Sequence, residues 1–196
     1  MKILAVADTE AKYYYDYYTG DRLKEFDLIL ACGDLPRAYL EFLVTMARCP
    51  LVYVCGNHDA RFENEPPEGC ICADDQIIEV NGVRILGLGG SYRYRPGPCM
   101  YSEKQMRRRI LKLLPKLWRK KGFDILLTHA PAYDLNDLDT IPHRGFECFH
   151  WLLEKWKPKY FIHGHIHLTY GVNLPRGMKA GETTVVNAYE YWKFEY

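Results

Sequence analysis

Carboxylate and imidazole side chains recur at five places along the chain, each just after a strongly apolar run. They stand in Asp8-Thr9-Glu10, Gly33-Asp34, Gly56-Asn57-His58-Asp59, Thr128-His129-Ala130-Pro131 and Gly164-His165-Ile166-His167. Oxygen and imidazole donors in this mixture suit hard and borderline divalent ions. Two such ions about 3.5–4 Å apart can clamp the attacking and leaving oxygens of an in-line displacement at phosphorus. The chemistry these residues could perform is therefore metal-assisted hydrolysis.

The runs that must position them are Ile3 to Ala7, Leu28 to Cys32, Leu51 to Cys55, Ile125 to Leu127 and Tyr160 to Ile162. Continuous apolar stretches of this length predict strands buried on both faces. In such sheets ligands gather beyond the carboxyl ends of the strands. Between them, apolar spacing near i, i+3, i+4, i+7 predicts helices over Arg37 to Arg48 and Gly145 to Lys157. Ser102 with Gln105 reads as a capping box opening a further helix with a buried stripe of Met106, Ile110, Leu113 and Leu114. Pro115 should break or kink it, with a short helix continuing to Lys121. Asn81-Gly82 suits a type I′ turn within a hairpin from Ile77 to Leu88. Thr183 to Ala188 and Tyr189 to Tyr196 read as two closing antiparallel strands. The sum is an α/β chain with mixed sheets. No linker or repeat divides residues 1–196, which read as a single domain.

The ordered motif set resembles the calcineurin-like metallophosphoesterase superfamily, whose pattern runs Asp-x-His, Gly-Asp, Gly-Asn-His-Asp/Glu, His and Gly-His-x-His. Four of the five are intact here; the first carries Glu10 where the family usually has His. The resemblance implies two packed mixed β-sheets flanked by helices, and a binuclear centre bridged by Asp34. Residue by residue, Asp8, Glu10, Asp34 and His167 would hold one ion, and Asp34, Asn57, His129 and His165 the other. A bridging hydroxide would attack the phosphorus. His58 would stabilise the phosphoryl oxygens and protonate the leaving group, with Asp59 orienting it through a carboxylate–imidazole hydrogen bond. Asn57, His58 and Arg93 are the expected substrate contacts, since guanidinium geometry fits phosphate. The cofactors implied are two divalent metal ions. The carboxylate at position 10 favours Mn²⁺ or iron, with Zn²⁺, Ni²⁺ and Co²⁺ also compatible.

Composition bounds the alternatives. The chain has 196 residues and a net charge of +1, which gives no general support for a nucleic-acid binder. Nucleic acid remains a lesser reading, resting on the basic side of the segment from Arg107 to Lys121 and on the tyrosine run Tyr13 to Tyr18. That run could stack a base, pack locally, or join a second copy in a homo-oligomer. No stretch approaches the roughly 18 apolar residues of a span, so no membrane partner is expected. Met1-Lys2 leads straight into the first strand, and seven cysteines, an odd number, include Cys32 and Cys55 inside predicted strands. Reduced thiols and a cytoplasmic location follow as expectations. Cys70-Ile71-Cys72 lacks zinc spacing and reads as incidental. Asp137, Asp139, His143 and Arg144 could line the site's entrance. The leading reading is a phosphodiesterase or phosphatase acting on small phosphoesters. The alternative is a non-catalytic metal-binding scaffold of the same fold for protein partners.

Overall fold

In the computed structural model, which describes residues 1–171 and 174–196, two mixed sheets pack face to face between helices. The strands in chain order are β1 (Lys2–Ala7), β2 (Leu28–Ala31), β3 (Leu51–Tyr53), β4 (Ile71–Cys72), β5 (Gln76–Val80), β6 (Val83–Leu88), β7 (Ser91–Tyr92), β8 (Met100–Tyr101), β9 (Ile125–Thr128), β10 (Tyr160–His163), β11 (Gly177–Ala180), β12 (Thr183–Asn187) and β13 (Glu190–Glu195). The helices are α1 (Arg37–Ala47), α2 (Glu103–Arg119) and α3 (Cys148–Trp156). One sheet has the order β13-β1-β2-β3-β4 and the other β11-β12-β10-β9-β6-β5, with β7 and β8 forming a small separate pair.

The continuous apolar runs have a direct cause. Alternate residues of one strand face different layers, and both are dry. Ile3, Ala5 and Ala7 join Leu28, Leu30, Ile125 and Leu127 between the sheets, whereas Leu4 and Val6 face α1 with Tyr14, Tyr39 and Leu43. On the far side, α2 and α3 cover the second sheet through Met106, Ile110, Leu117, Phe149 and Leu152 against Leu86, Leu126 and Phe161. The layers therefore run helix, sheet, sheet, helix. β1, β2 and β3 are parallel, as are β6, β9, β10 and β12.

Several details depart from expectation. α2 runs unbroken through Pro115. Pro115 sits on the exposed side, so the carbonyl it fails to bond can face water, while Ile110, Leu113 and Leu117 pack on either side of it. Leu117 completes the buried stripe; Leu114 is only half-buried. The capping box is present, with Ser102 accepting from the Gln105 N–H and Gln105 accepting from the Ser102 N–H. The hairpin turns at Asn81 and Gly82 with φ of 51° and 80°, as a type I′ turn requires. The last two strands form, but they part between the sheets: β12 pairs with β10 and β11, and β13 pairs with β1. Among the described residues no helix is long and apolar enough to cross a membrane.

Candidate metal centre

All five motifs fall just beyond the carboxyl ends of β1, β2, β3, β9 and β10, along one edge shared by the two sheets. The backbone turns sharply there. Asp8, Asp34 and His165 adopt left-handed conformations with φ of 65°, 56° and 67°, a region that costs ordinary residues energy and clusters at functional sites. Two glycines permit the loops to meet. A Cβ on Gly33 would stand 2.7 Å from Gly56 Cα, and one on Gly164 would stand 2.7 Å from Asp8 Oδ2.

The carboxylates tie neighbouring loops together. Asp8 accepts from the His165 N–H through both oxygens, at 3.0 and 2.9 Å. Asp34 Oδ1 accepts from the His58 N–H at 2.7 Å. Asp59 Oδ2 accepts from the Asp34 N–H at 2.6 Å and the Gly56 N–H at 2.8 Å. Behind them Asp74, which carried no weight in the sequence reading, accepts from the Cys55 N–H at 2.9 Å and also from the Gly89 N–H. The role expected for Asp59 is therefore corrected. Its buried carboxylate makes no hydrogen bond to the His58 ring and fixes the loops that carry Asp34 and Asn57.

The tightest part of the site surrounds His129, which is fully buried. Its Nε2 lies 3.1 Å from Asn57 Oδ1 and 3.4 Å from Asp34 Oδ2, while Nδ1 lies 2.7 Å from the Cys32 carbonyl. The Cys32 contact fixes Nδ1 as the donor, so Nε2 and two oxygens converge on one point. One donor atom each from Asp34, His129 and His165 lies within 4.8 Å of the others. His165 Nε2–H donates to the Pro142 carbonyl at 2.7 Å, which leaves Nδ1 as the ring nitrogen with a free lone pair.

Electrostatics agree with a cation position. Burial disfavours a charged His129 ring, but the Asp34 carboxylate, Asp8 and the Cys32 carbonyl together outweigh it and lift the pKa to about 9. Burial likewise opposes ionisation of Asp34, yet His129 and the His58 N–H hold it at about 2. Burial drives His165 down to about 3, so its imidazole is neutral and ready to act as a ligand. Burial raises Asp8 to about 7. The Asp34 carboxylate, the Asn57 oxygen and the neutral His165 ring, joined by His129 once it gives up its proton, are a donor set that fits a divalent ion well.

The second group is looser. His167 Nε2 stands 3.8 Å from Asp8 Oδ1, and its ring stacks on Tyr170 with centroids 4.7 Å apart. Both His165 and His167 reach the site, but from an irregular loop and not by strand alternation. Glu10, like the buried His129, does not wall the site's cavity of about 340 Å³. That cavity is walled by Asp8, Asp34, Asn57, His58, His165 and His167, together with Tyr94, Pro142, His143 and Tyr170. The His58 side chain is 64% exposed at its rim, with Nε2 4.0 Å from Asp34 Oδ2.

Arg93, expected to clamp substrate, does not line this cavity. Its guanidinium donates to the Met100 carbonyl at 3.2–3.3 Å and borders a neighbouring hollow with Asp59 and Cys99. Its neighbour Tyr94 takes the place by the site. Of the entrance residues, His143 lines the cavity, held by Thr140 Oγ1 at 2.8 Å from its Nδ1. Asp137 and Asp139 line a different hollow, and Arg144 lies over the Tyr92 and Tyr133 rings. The tyrosine run is largely structural: Tyr14 is buried, and Tyr15 and Tyr18 pack edge-on against Phe42. Cys70 and Cys72 are both free thiols.

Such a sandwich, with Asp, Asn and His at one shared edge of parallel strands, defines a metallophosphoesterase-type fold. The family model for calcineurin-like phosphoesterases matches residues 1–168, and the chain belongs to that family, whose general chemistry is metal-dependent phosphoester hydrolysis. It is 25% identical over 223 residues to UPF0046 protein C25E10.12 of Caenorhabditis elegans, covering 96% of this chain and 74% of that one. It is 28% identical over 206 residues to Metallophosphoesterase domain-containing protein 1 of Homo sapiens, covering 83% of this chain but only 59% of the relative. Among solved structures, TT1561 of Thermus thermophilus superimposes with a TM-score of 0.66 at 18% identity, covering 96% of this chain and 89% of that one. The last likeness supports the fold alone.

Proposed function

We propose that this chain hydrolyses small phosphate esters, diesters or monoesters, with two divalent metal ions held at the strand-end site. The observation that carries the reading is the convergence of Asp34 Oδ2, Asn57 Oδ1 and His129 Nε2, with His165 beside them. Asp34, Asn57, His129 and His165 would hold one ion; Asp8, His167 and the second reach of Asp34 would hold the other. When bound, the ions would supply an activated water and neutralise phosphoryl charge.

The chain's own residues do the rest. Asp8, Asp34 and Asp59 hold the loops in register through backbone N–H groups, so the backbone beneath the ligands is set in advance. His58 projects from a fixed backbone at the rim, where its ring can protonate the departing oxygen. Tyr94, His143 and Tyr170 complete the cavity wall. A cavity of about 340 Å³ suits a small ester. Mn²⁺ or iron is the favoured metal, given the share of carboxylate and amide oxygens.

The test is turnover of one activated aryl diester and one aryl monoester with Mn²⁺, repeated after chelation. Metal-dependent release of the phenol supports the reading. Absence of turnover with Mn²⁺, Fe²⁺, Zn²⁺, Ni²⁺ and Co²⁺ across an ester panel would favour the scaffold alternative, whose one structural support is that Glu10 stands outside the cavity.

A further inference from the structure

α2 presents only cationic and apolar side chains as its exposed positions. Its nine exposed positions are Lys104, Arg107, Arg108, Lys112, Lys116 and Arg119, together with Leu111, Pro115 and Trp118. None is acidic or neutral polar. The helix carries seven cations against one acid in a chain whose total is only +1. An ordinary solvated helix mixes signs and gains from opposite charges four residues apart. Here Lys104, Arg108, Lys112 and Lys116 follow one another at that spacing, an arrangement that weakens a helix. None of the six exposed cations has an ion-pair partner among the described residues. The inward-leaning Arg109 and Lys120, by contrast, pair with Asp75 and Glu79 at 2.8 Å.

Between these cations lies an apolar ridge. Leu111, Pro115 and Trp118 follow i, i+4, i+7, with Leu111 52% and Trp118 65% exposed. Trp151, on α3 in the same outer layer, is 42% exposed. The ridge is not left over from the core, because the core stripe Met106, Ile110, Leu113 and Leu117 occupies the opposite side.

We infer that α2 docks on an anionic lipid surface. Cations alone would suit any polyanion, but exposed aliphatic and indole groups gain free energy only where they leave water for an apolar medium. The boundary between headgroups and acyl chains offers both, and Trp is favoured there. A phosphate backbone offers no burial for Leu111 and Pro115. The contact needs no membrane span, so the lack of one does not oppose it.

The test uses the full chain with vesicles of phosphatidylcholine alone, or of phosphatidylcholine and phosphatidylserine in equal parts, at physiological salt. Co-sedimentation should occur only with the anionic vesicles, weaken with added salt, and shift Trp emission to shorter wavelength. Arg108→Gln with Lys112→Gln should weaken binding by roughly 30-fold. Leu111→Ser with Trp118→Ser should weaken it at least roughly tenfold and remove the emission shift. The lipid and salt comparisons on the unaltered chain stand whether or not a variant folds. No binding to anionic vesicles overturns the inference. So does binding to duplex DNA or single-stranded RNA that matches or exceeds vesicle binding and ignores the Leu111 and Trp118 changes.

Discussion

The two halves of the metal centre are built from the same residue types yet are unequally prepared. Around His129 three donors already converge, the tautomer is fixed by the Cys32 carbonyl, and the ring is completely buried. Around Asp8 the carboxyl is pushed up to about 7, its nearest imidazole nitrogen is 3.8 Å away and partly exposed, and Glu10 does not wall the cavity. Preorganisation separates them. Each half must expel a proton, from His129 or from Asp8, but the first has its ligands placed by buried backbone contacts, whereas the second must also draw His167 from its stack on Tyr170. On the proposed two-ion reading, the difference predicts two affinities, a tight ion at His129 and a weaker one at Asp8.

The largest effect that could break this comparison is loss of the tight half. His129→Ala should remove the tightly held ion and reduce turnover by more than the roughly 10–100-fold that follows loss of an outer partner. Metal analysis after dialysis, together with kcat, reads both. Retention of the tight ion in this variant would show that the geometry at His129 is not what holds it. His58→Ala should keep both ions and lose roughly 10²–10⁴-fold in rate, with a smaller loss for esters whose leaving groups need no proton. A variant that loses metal would make His58 a ligand.

Asp59→Asn tests the loop-holding role. An amide oxygen can still accept the Asp34 and Gly56 N–H groups, but without charge, so metal affinity at the tight half should fall roughly 10–100-fold. If instead metal binding is unchanged and only the pH profile of turnover moves, Asp59 acts through His58 as the sequence reading expected.

Proton competition gives a smaller effect that distinguishes the halves. Ligands must be deprotonated to bind metal, so affinity falls as pH falls. With Asp8 near about 7, the weak half should lose affinity as pH drops through neutrality. With His129 near about 9, the tight half should release a proton on metal uptake throughout the neutral range. Calorimetry in buffers of different ionisation heat measures that release directly; a signal independent of buffer would contradict it. The smallest expected change is Glu10→Ala, which should leave the tight ion untouched. If Glu10→His tightens the weak ion and shifts preference from Mn²⁺ toward Zn²⁺, position 10 can reach that site after all.

Much of this was legible in the chain because one physical pattern repeats. Strands dry on both faces leave continuous apolar runs, and their ends then stand out as the only polar, glycine-rich points. That is why Asp8, Asp34, Asn57, His129, His165 and His167 stand out as strand-end residues, while their expected roles as ligands came from the resemblance to the family. What was not legible depends on partners distant in sequence. Asp59 bonds backbone groups on two loops, and nothing in Asn57-His58-Asp59 says which. Arg93 is claimed by the Met100 carbonyl, while Tyr94, one residue on, turns to the cavity. Tyr170 had no motif to mark it, whereas His143 was expected at the entrance and does line the cavity. β4, β7 and β8, at two residues each, are too short to show periodicity. The closing strands were found, but which sheet each would join depends on the crossing at Ala188-Tyr189, which no local pattern marks.

One titration tests the account most directly. Metal-free protein is titrated with Mn²⁺ while heat and hydrolysis of an aryl phosphodiester are followed in the same samples. Two binding events of unequal affinity are predicted, with turnover rising on the second and the first missing in His129→Ala. Turnover complete at one equivalent, or two bound ions with no turnover of any ester, would contradict the account.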